Sequence, residues 1–551
     1  MNRRIMECVP NFSEGRNMAV IRQITDEIES VEGIRLLETD PGRDTNRTVV
    51  TFVGEPDQVV EAAFRAVRKA AELIDMSEHH GEHPRMGATD VCPLVPVSGI
   101  TMEETVEYAR KLARRIGEEL AIPVYCYENA AFEEKRRDLA NCRAGEYEGL
   151  QKKFADPGWK PDFGPAVFNR RSGATAVGAR DFLVAFNINL NTTSTRRANA
   201  IAYDVREKGR MIRNENGEKV NIPGSLKKVK AMGWYIEEYG IAQITMNLVD
   251  ISVTPVHVAF DEVCRKAEAR GIRVTGSELV GMIPLRAMLD AGRYFLEKQQ
   301  RSTGVSDAEL IKIAVKSMGL DEIRKFRPEE KIIEFVMEEK DEKNLISMSL
   351  RGFMDLTASE SPVPGGGSVS AYVGSLGTAL GTMVANISSH KRGWDDRWKE
   401  FSVWAEKGKV IQNRLLDLVD EDTGAYNMIL AAIRMPAKTD TDKKDREEAI
   451  ENATREASLV PFRVMETAFT GFELIREMVK EGNAQSVTDA AVGAMALRTC
   501  ITGAFLNVRI NTKSLKDVKF ADELVSKGRL IAEKAIEEEK LILDLTKKRI
   551  F

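Results

Sequence analysis

Along the first third of the chain, strand-like apolar runs take turns with segments whose apolar positions recur every three or four residues. Residues 5–9 read as a strand. Residues 17–30 read as a helix, because Val20, Ile21, Ile24 and Ile28 fall on one face at helical spacing. Strand patterns follow at 34–38 and 48–53, then a helix at 56–74, a strand at 90–97, a helix at 102–120 and a strand at 124–127. The opening order, β-α-β-β-α-β, is that of a split βαβ unit. A weaker second copy runs through a strand at 182–190, a helix at 194–208, two strand-like runs flanking Tyr239-Gly240, a helix at 255–270 and a short strand at 272–276. Between the copies, 156–178 is rich in Gly and Pro and predicts no regular structure.

Strand patterning stops near Ser306. Residues 329–345 are densely charged, with Glu329-Glu330-Lys331 and Glu338-Glu339-Lys340-Asp341-Glu342-Lys343, and read as a solvated linker. Beyond Ser349 every long segment has helical periodicity, and the last, 521–548, sets Leu524, Ile531, Ala535 and Leu541 in a heptad-like seam. The predicted architecture is an α+β N-terminal half of two ferredoxin-like lobes (1–180 and 181–328), the charged linker, and an all-α helical bundle (346–551). A ligand is expected in the groove between the two lobes.

Composition narrows the functional classes. A chain of 551 residues is too long for one ordinary core, and a net charge of −5 offers no global attraction to nucleic acid. No apolar run suggests a membrane span, and the N-terminus enters a strand pattern at once without a signal-peptide stretch, so a cytoplasmic protein is expected. The six cysteines are widely separated and lack a CxxC pair, which predicts reduced, buried thiols.

The chemistry concentrates on one loop. Three of the five histidines, His79, His80 and His83, fall together, and His83-Pro84-Arg85-Met86-Gly87 leads into an apolar strand. Pro84 restricts the chain just after a proton carrier, and Gly87 permits close backbone approach. His79 and His80 read as surface neighbours of the site, and no Cys or carboxylate pair there has metal-ligand spacing. In the C-terminal half, Gly365-Gly366-Gly367-Ser368 opens onto a helix of small residues, whose exposed N–H groups suit an anion. Asp422 and Asp489 are its acid–base candidates, and His390 reads as a surface residue. The basic interval 196–230 is a solvated face or a steering surface for an anionic ligand.

Several ordered strings carry a family resemblance. Glu7-Cys8-Val9-Pro10-Asn11-Phe12-Ser13-Glu14-Gly15-Arg16-Asn17 resembles the opening of glutamate formiminotransferases, as do Asp40 with Thr45-Asn46-Arg47-Thr48 and the His83 string with Cys92-Pro93. Pro161-Asp162-Phe163-Gly164-Pro165, Gly173-Ala174-Thr175, Gly178-Ala179-Arg180, Ala185-Phe186-Asn187-Ile188-Asn189-Leu190 and Val274-Thr275-Gly276-Ser277-Glu278-Leu279-Val280-Gly281 continue the match. Ser361-Pro362-Val363-Pro364-Gly365-Gly366-Gly367-Ser368, with Ala385-Asn386, Asp420-Glu421-Asp422-Thr423 and Ser486-Val487-Thr488-Asp489-Ala490, is similar to the cyclodeaminase/cyclohydrolase family. The whole chain resembles fused formiminotransferase-cyclodeaminases.

The resemblance implies transfer of the formimino group of N-formimino-L-glutamate to tetrahydrofolate, a co-substrate, with no metal. Ring closure to 5,10-methenyltetrahydrofolate with loss of ammonia would follow. It implies His83 as the proton carrier and Asp40 near the folate, where a carboxylate would orient the imidazole. Asn46, Arg47, Arg85, Gly87, Phe163, Gly164, Pro165, Gly173, Thr175, Arg180 and Asn187 are the candidate substrate contacts of the first half. Among them Arg47, Arg85 and Arg180 are the cations for substrate carboxylates. Gly365, Gly366, Gly367 and Ser368 are the candidates of the second, for a (poly)glutamyl folate tail. A homo-oligomer is expected, since the family forms rings. Two alternatives stand for the C-terminal domain: a methenyltetrahydrofolate cyclohydrolase, or a non-catalytic assembly module.

Overall fold

A computed structural model describes residues 4–43, 45–81, 83–337 and 345–550. The Glu338–Lys343 charge run lies outside the described residues. The chain forms two compact units, Met1–Ala291 with Val315–Glu339, and Gly292–Ala314 with Lys340–Phe551.

The first lobe comprises β1 (Ile5–Cys8), β2 (Asn11–Phe12), α1 (Met18–Glu29), β3 (Arg35–Gly42), β4 (Arg47–Gly54), α2 (Pro56–Leu73), β5 (Thr89–Ser98), α3 (Met102–Glu119), β6 (Val124–Glu128), α4 (Leu139–Arg143), α5 (Glu146–Ala155) and β7 (Thr175–Ala179). Both β1 and β2 lie between β4 and β5, as two pieces of one interrupted strand. Pro10, which has no N–H to donate, stands at the break. The antiparallel order β3-β4-β1-β5 is the split βαβ sheet expected from the pattern. It is then extended in parallel by β7 and β6. Asn17 caps α1 by accepting from the backbone N–H of Ala19 and Val20, and Ile21, Ile24 and Ile28 are buried as their spacing requires. Phe12, Phe52 and Leu94 are fully buried in the same core.

The second lobe comprises β8 (Val184–Leu190), α6 (Thr195–Val205), β9 (Arg210–Arg213), β10 (Lys219–Ile222), β11 (Val229–Ile236), β12 (Ile241–Leu248), α7 (Val256–Glu268) and β13 (Val274–Val280). Its sheet order β11-β12-β8-β13 repeats that of the first lobe strand for strand. The β9–β10 hairpin is an insertion that the charge-run reading of 196–230 missed. Four helices follow: α8 (Leu285–Lys298), α9 (Asp307–Met318), α10 (Pro328–Lys331) and α11 (Ile333–Met337).

The second unit is built on α12 (Leu350–Thr357), α13 (Gly366–Ser389), α14 (Trp398–Ile433), α15 (Asp440–Glu481), α16 (Val487–Asn511) and α17 (Val518–Ile550). At Gly374 a Cβ would collide with the Cys500 sulfur, so the small residues of α13 serve close helix packing. On α17 the buried stripe is Leu524, Gly528, Ala532, Ala535, Ile542 and Thr546, while Leu541 faces outward. The seam follows the 3.6-residue turn, which moves it off Leu541. One helical stretch, Ala484–Ser514, is long and apolar enough to cross a membrane by composition, contrary to expectation. One face of it is instead buried in the helical core, including Ala490, Gly493, Ala494 and Leu497.

Residues 292–314 belong to this second unit, so it recruits chain from well before the charged run. Thr303 is buried there. Its N–H donates to Ser402 Oγ at 3.0 Å, its hydroxyl meets Ser402 Oγ at 3.0 Å and donates to Glu406, and Asn386 Nδ2 donates to the Gly304 carbonyl at 2.9 Å. Thr303→Val removes a buried hydroxyl and leaves Glu406 short of a donor. Chemical denaturation is expected to show a loss of about 1–3 kcal/mol.

Candidate active site

His83 lies on the loop between α2 and β5 and is half-buried. Its Nδ1 is 2.6 Å from the Pro84 carbonyl, an acceptor only, so Nδ1 carries the proton and Nε2 the lone pair. Arg47 Nη1 donates to that lone pair. Burial, and then the Arg47 charge, hold the imidazole below its ordinary pKa, so it is neutral at pH 7.

Arg47 opens β4 and is itself gripped. Its Nη2 donates to Asn11 Oδ1 at 2.5 Å and stands 3.9 Å from Asp90, and its buried Nε has no partner among the described residues. Asp90 is fully buried at the start of β5. It accepts from Arg143 Nη2 at 2.6 Å and Nε at 3.3 Å, and from the Met86 backbone N–H at 3.0 Å. Asn11, Asp90 and Arg143 were absent from the sequence-based site, although Asn11 and Asp90 sit inside or beside the diagnostic strings.

Asp40 does not orient the imidazole, whose two nitrogens are already held by Pro84 and Arg47. It sits exposed on β3 opposite Val49, which in turn faces Asn11 across β4 and β2. Two strand spacings, about 10 Å, separate it from Asn11 on the same sheet face. It therefore borders the open face that carries Arg47.

Arg85 also departs from expectation. All five of its N–H groups are spent, on His79 Nδ1, the His79 carbonyl, Glu146 and a fork onto Glu148 at 2.7 and 2.9 Å. It is a buried structural cation. His79 is buried too, with Nε2 bonded to the Asn46 carbonyl at 2.8 Å. Asn46 ties loops together through Gly15 N–H and the His80 carbonyl, each at 3.0 Å. Its positive φ of 47° suits an asparagine.

The glycines serve chain against chain. Gly87 and Gly173 form a bridge, and a Cβ on either would strike the opposite backbone. Phe163 accepts from Val124 N–H at 2.9 Å beyond the β6 edge, and Gly164, with φ 79°, lies against the Ile122 carbonyl. With Pro165 exposed beside them, they stand three strand spacings, roughly 14 Å, from β5 and the His83 loop. Thr175 is buried at the start of β7. Asn187 is buried on β8 between Thr245 and Glu278, and its Oδ1 has no partner among the described residues.

Arg180 is half-buried just past β7. Its charge partly offsets the burial that pushes Glu7, on β1, up to about 7. A glutamate inside an apolar strand was the signal that sequence reading passed over. Below the unfolded pKa near 4.5 the carboxyl is protonated in both states, and stability is lost as pH rises towards 7 because only the unfolded chain ionises freely. Glu7→Gln should therefore flatten the pH–stability curve over that window and add as much as about 3 kcal/mol above it, read by denaturation at pH 5 and pH 8.

In the helical unit, Ser368 Oγ donates to Asp422 Oδ2 at 2.8 Å and lies 3.4 Å from Thr423 Oγ1. A Cβ at Gly367 would strike the Asp422 carboxylate. The first turn of α13 after Gly365 and Gly366 is therefore already met by a carboxylate of the chain itself, where a ligand anion was expected. Burial raises the Asp422 pKa, with the Ser368 hydrogen bonds opposing. Asp489 is not part of this cluster. Helices α13 and α16 are antiparallel, with Gly366 beside Asn507 and Gly377 beside Gly493. Asp489 is one helix length, about 27 Å, from Asn507. Among the described residues no three His, Cys, Asp or Glu side chains gather as a metal site.

Comparison with known proteins agrees with this division. Residues 5–180 match the family described as "Formiminotransferase domain, N-terminal subdomain", 185–338 "Formiminotransferase domain", and 349–529 "Formiminotransferase-cyclodeaminase". The chain is 42% identical to a formimidoyltransferase-cyclodeaminase of Sus scrofa, over 98% of both chains. It is 42% identical to a glutamate formimidoyltransferase of Streptococcus pyogenes serotype M1, over 53% of this chain and 94% of that protein. A methenyltetrahydrofolate cyclohydrolase of Methylorubrum extorquens is 29% identical over 32% of this chain and 84% of its own length. A first lobe that carries a neutral histidine, a second lobe of matching topology and a helical unit with a Ser368–Asp422 pair are thus found in a chain that belongs to the formiminotransferase-cyclodeaminase family.

Proposed function

We propose that the protein is a bifunctional folate enzyme. It transfers the formimino group of N-formimino-L-glutamate to N5 of tetrahydrofolate, then closes the product to 5,10-methenyltetrahydrofolate with release of ammonia. The observation that carries the first step is the neutral His83, its tautomer fixed by Pro84 and its lone pair directed at Arg47. In the transfer, N5 attacks the formimino carbon, Nε2 takes the N5 proton, and the same proton goes to the glutamate nitrogen as its C–N bond breaks. Arg47 covers Nε2 until a substrate carboxylate draws the guanidinium away, which frees the base only when the donor is bound. In the second step N10 adds to the formimino carbon. Asp422, kept protonated longer by burial, gives one proton to the departing nitrogen and, as the carboxylate, takes the proton that N10 loses and passes it to the same nitrogen, which leaves as ammonia.

The similarity to a cyclohydrolase supports a second reading for the helical unit, hydrolysis of the methenyl ring. Purified protein mixed with formiminoglutamate and tetrahydrofolate, followed by methenyl absorbance and ammonia together, separates the two. Both products are expected at equal rates. Glutamate release without ammonia would remove the cyclodeaminase reading, and no glutamate release would remove the donor assignment.

Finer assignments belong to the same proposal. The protein is read as cytoplasmic, in keeping with six cysteines that form no disulfide. A homo-oligomer, in ring form, is supported by outward apolar side chains along α13 and α16, namely Leu376, Ile387, Val492, Met495, Leu506 and Ile510. A polyglutamyl tail is supported by a groove in the second lobe lined by Arg206, Lys208, Lys228 and Lys230.

A further inference from the structure

We propose that Asp90, buried out of reach of substrate, is the positioning residue that holds Arg47 and Arg143 around His83. The inference rests on His83 being the transferase base. Asp90 has no exposed surface, yet three separate chain segments converge on it. Arg143 of α4 forks onto both carboxylate oxygens at 2.6 and 3.3 Å. The Met86 backbone N–H, on the histidine's own loop, donates at 3.0 Å. Arg47 of β4 completes the set at 3.9 Å. One carboxylate thus serves two guanidiniums, leaving the pocket one positive charge in excess.

That arrangement has a chemical purpose for each partner. Met86 is three residues past His83, so its anchor fixes the loop that presents the imidazole. Arg47 is the group that caps Nε2, so its position decides whether the lone pair is covered. An unpaired second guanidinium beside it would repel it and spoil the angle of both. Among the described residues, the charged and titratable groups that bear on His83 and Arg47 are Asp90, Arg143 and, through Arg47, Tyr127. Asp90 favours the imidazolium, whereas Arg47 and Arg143 oppose it.

Asp90→Asn keeps the shape but removes the negative charge, so the His83 titration moves to lower pH, by roughly half a unit or more. Arg143→Met moves it to higher pH. Both variants should lose kcat, about tenfold to a hundredfold, with a smaller change in KM for the folate. A residue that merely supports packing would lower thermal stability without moving the titration in opposite directions in the two variants.

The measurement is NMR titration of the five histidine rings in the full-length protein, with His83→Ala to assign the His83 resonance, alongside kcat/KM against pH. Opposite shifts in the two variants, matched by the acid limb of kcat/KM, support the assignment. An unmoved His83 titration in both overturns it. Should Asp90→Asn fail to fold, the Arg143→Met shift alone decides. If the wild-type limb does not coincide with the His83 titration, the base assignment fails instead, which is a separate result.

Discussion

Replacing His83 with alanine is expected to reduce glutamate release by about a thousandfold or more, within the range of 10² to 10⁴ typical of a lost general acid–base. The same group is asked for twice, to accept the N5 proton and to return it to the leaving nitrogen. Arg47 cannot substitute, because a guanidinium does not deprotonate in this range. The variant should fold, since among the described residues the ring is hydrogen-bonded only to Pro84 and Arg47. Ammonia release from 5-formiminotetrahydrofolate supplied directly should be unchanged, because the Asp422 cluster belongs to the other unit. Loss of both activities would mean that His83 matters to the whole protein and would sink the assignment.

The complementary change is Asp422→Asn. The amide is isosteric and its oxygen still accepts from Ser368 Oγ, so the first turn of α13 keeps its partner. What it cannot do is give up a proton. Glutamate release should continue while ammonia and methenyl product fall by about a hundredfold or more, and 5-formiminotetrahydrofolate should accumulate. Wild-type ammonia release should be faster on the acid side of a raised carboxyl pKa, because burial prolongs the protonated form. An Asp422→Asn protein that still releases ammonia at the wild-type rate would return the acid role to another group.

What the sequence made legible was set by local pattern. Ile21, Ile24 and Ile28 announced a helix because their spacing alone decides which face is buried, and the two βαβ lobes followed from the same logic. Strand β7 was hidden because three of the five residues in Thr-Ala-Val-Gly-Ala are Ala or Gly and the segment follows a glycine-rich loop; its place is secured by parallel pairing on both sides. In the site, His83 and Arg47 stood out by residue type and string. The role given to Arg85 failed because its partners, Glu146 and Glu148, lie more than sixty residues away. Arg143 escaped for the same reason, being joined to Asp90 across 53 residues. Asp422 and Asp489 looked equivalent in sequence, and only the antiparallel course of α13 and α16 separates them.

The recruitment of Ser302–Gly304 by the helical unit bears on how the chain is made. Thr303 leaves the ribosome 99 residues ahead of Ser402, its hydrogen-bond partner. At about 5–20 residues per second that is a delay of roughly 5–20 s, during which the segment carries polar groups with no protein partner. The transferase lobes will by then have emerged almost whole, trailing a strip of the next unit. Synthesis therefore hands each nascent chain a tether that only its own later helices complete, and a paused or truncated message would leave that strip uncovered.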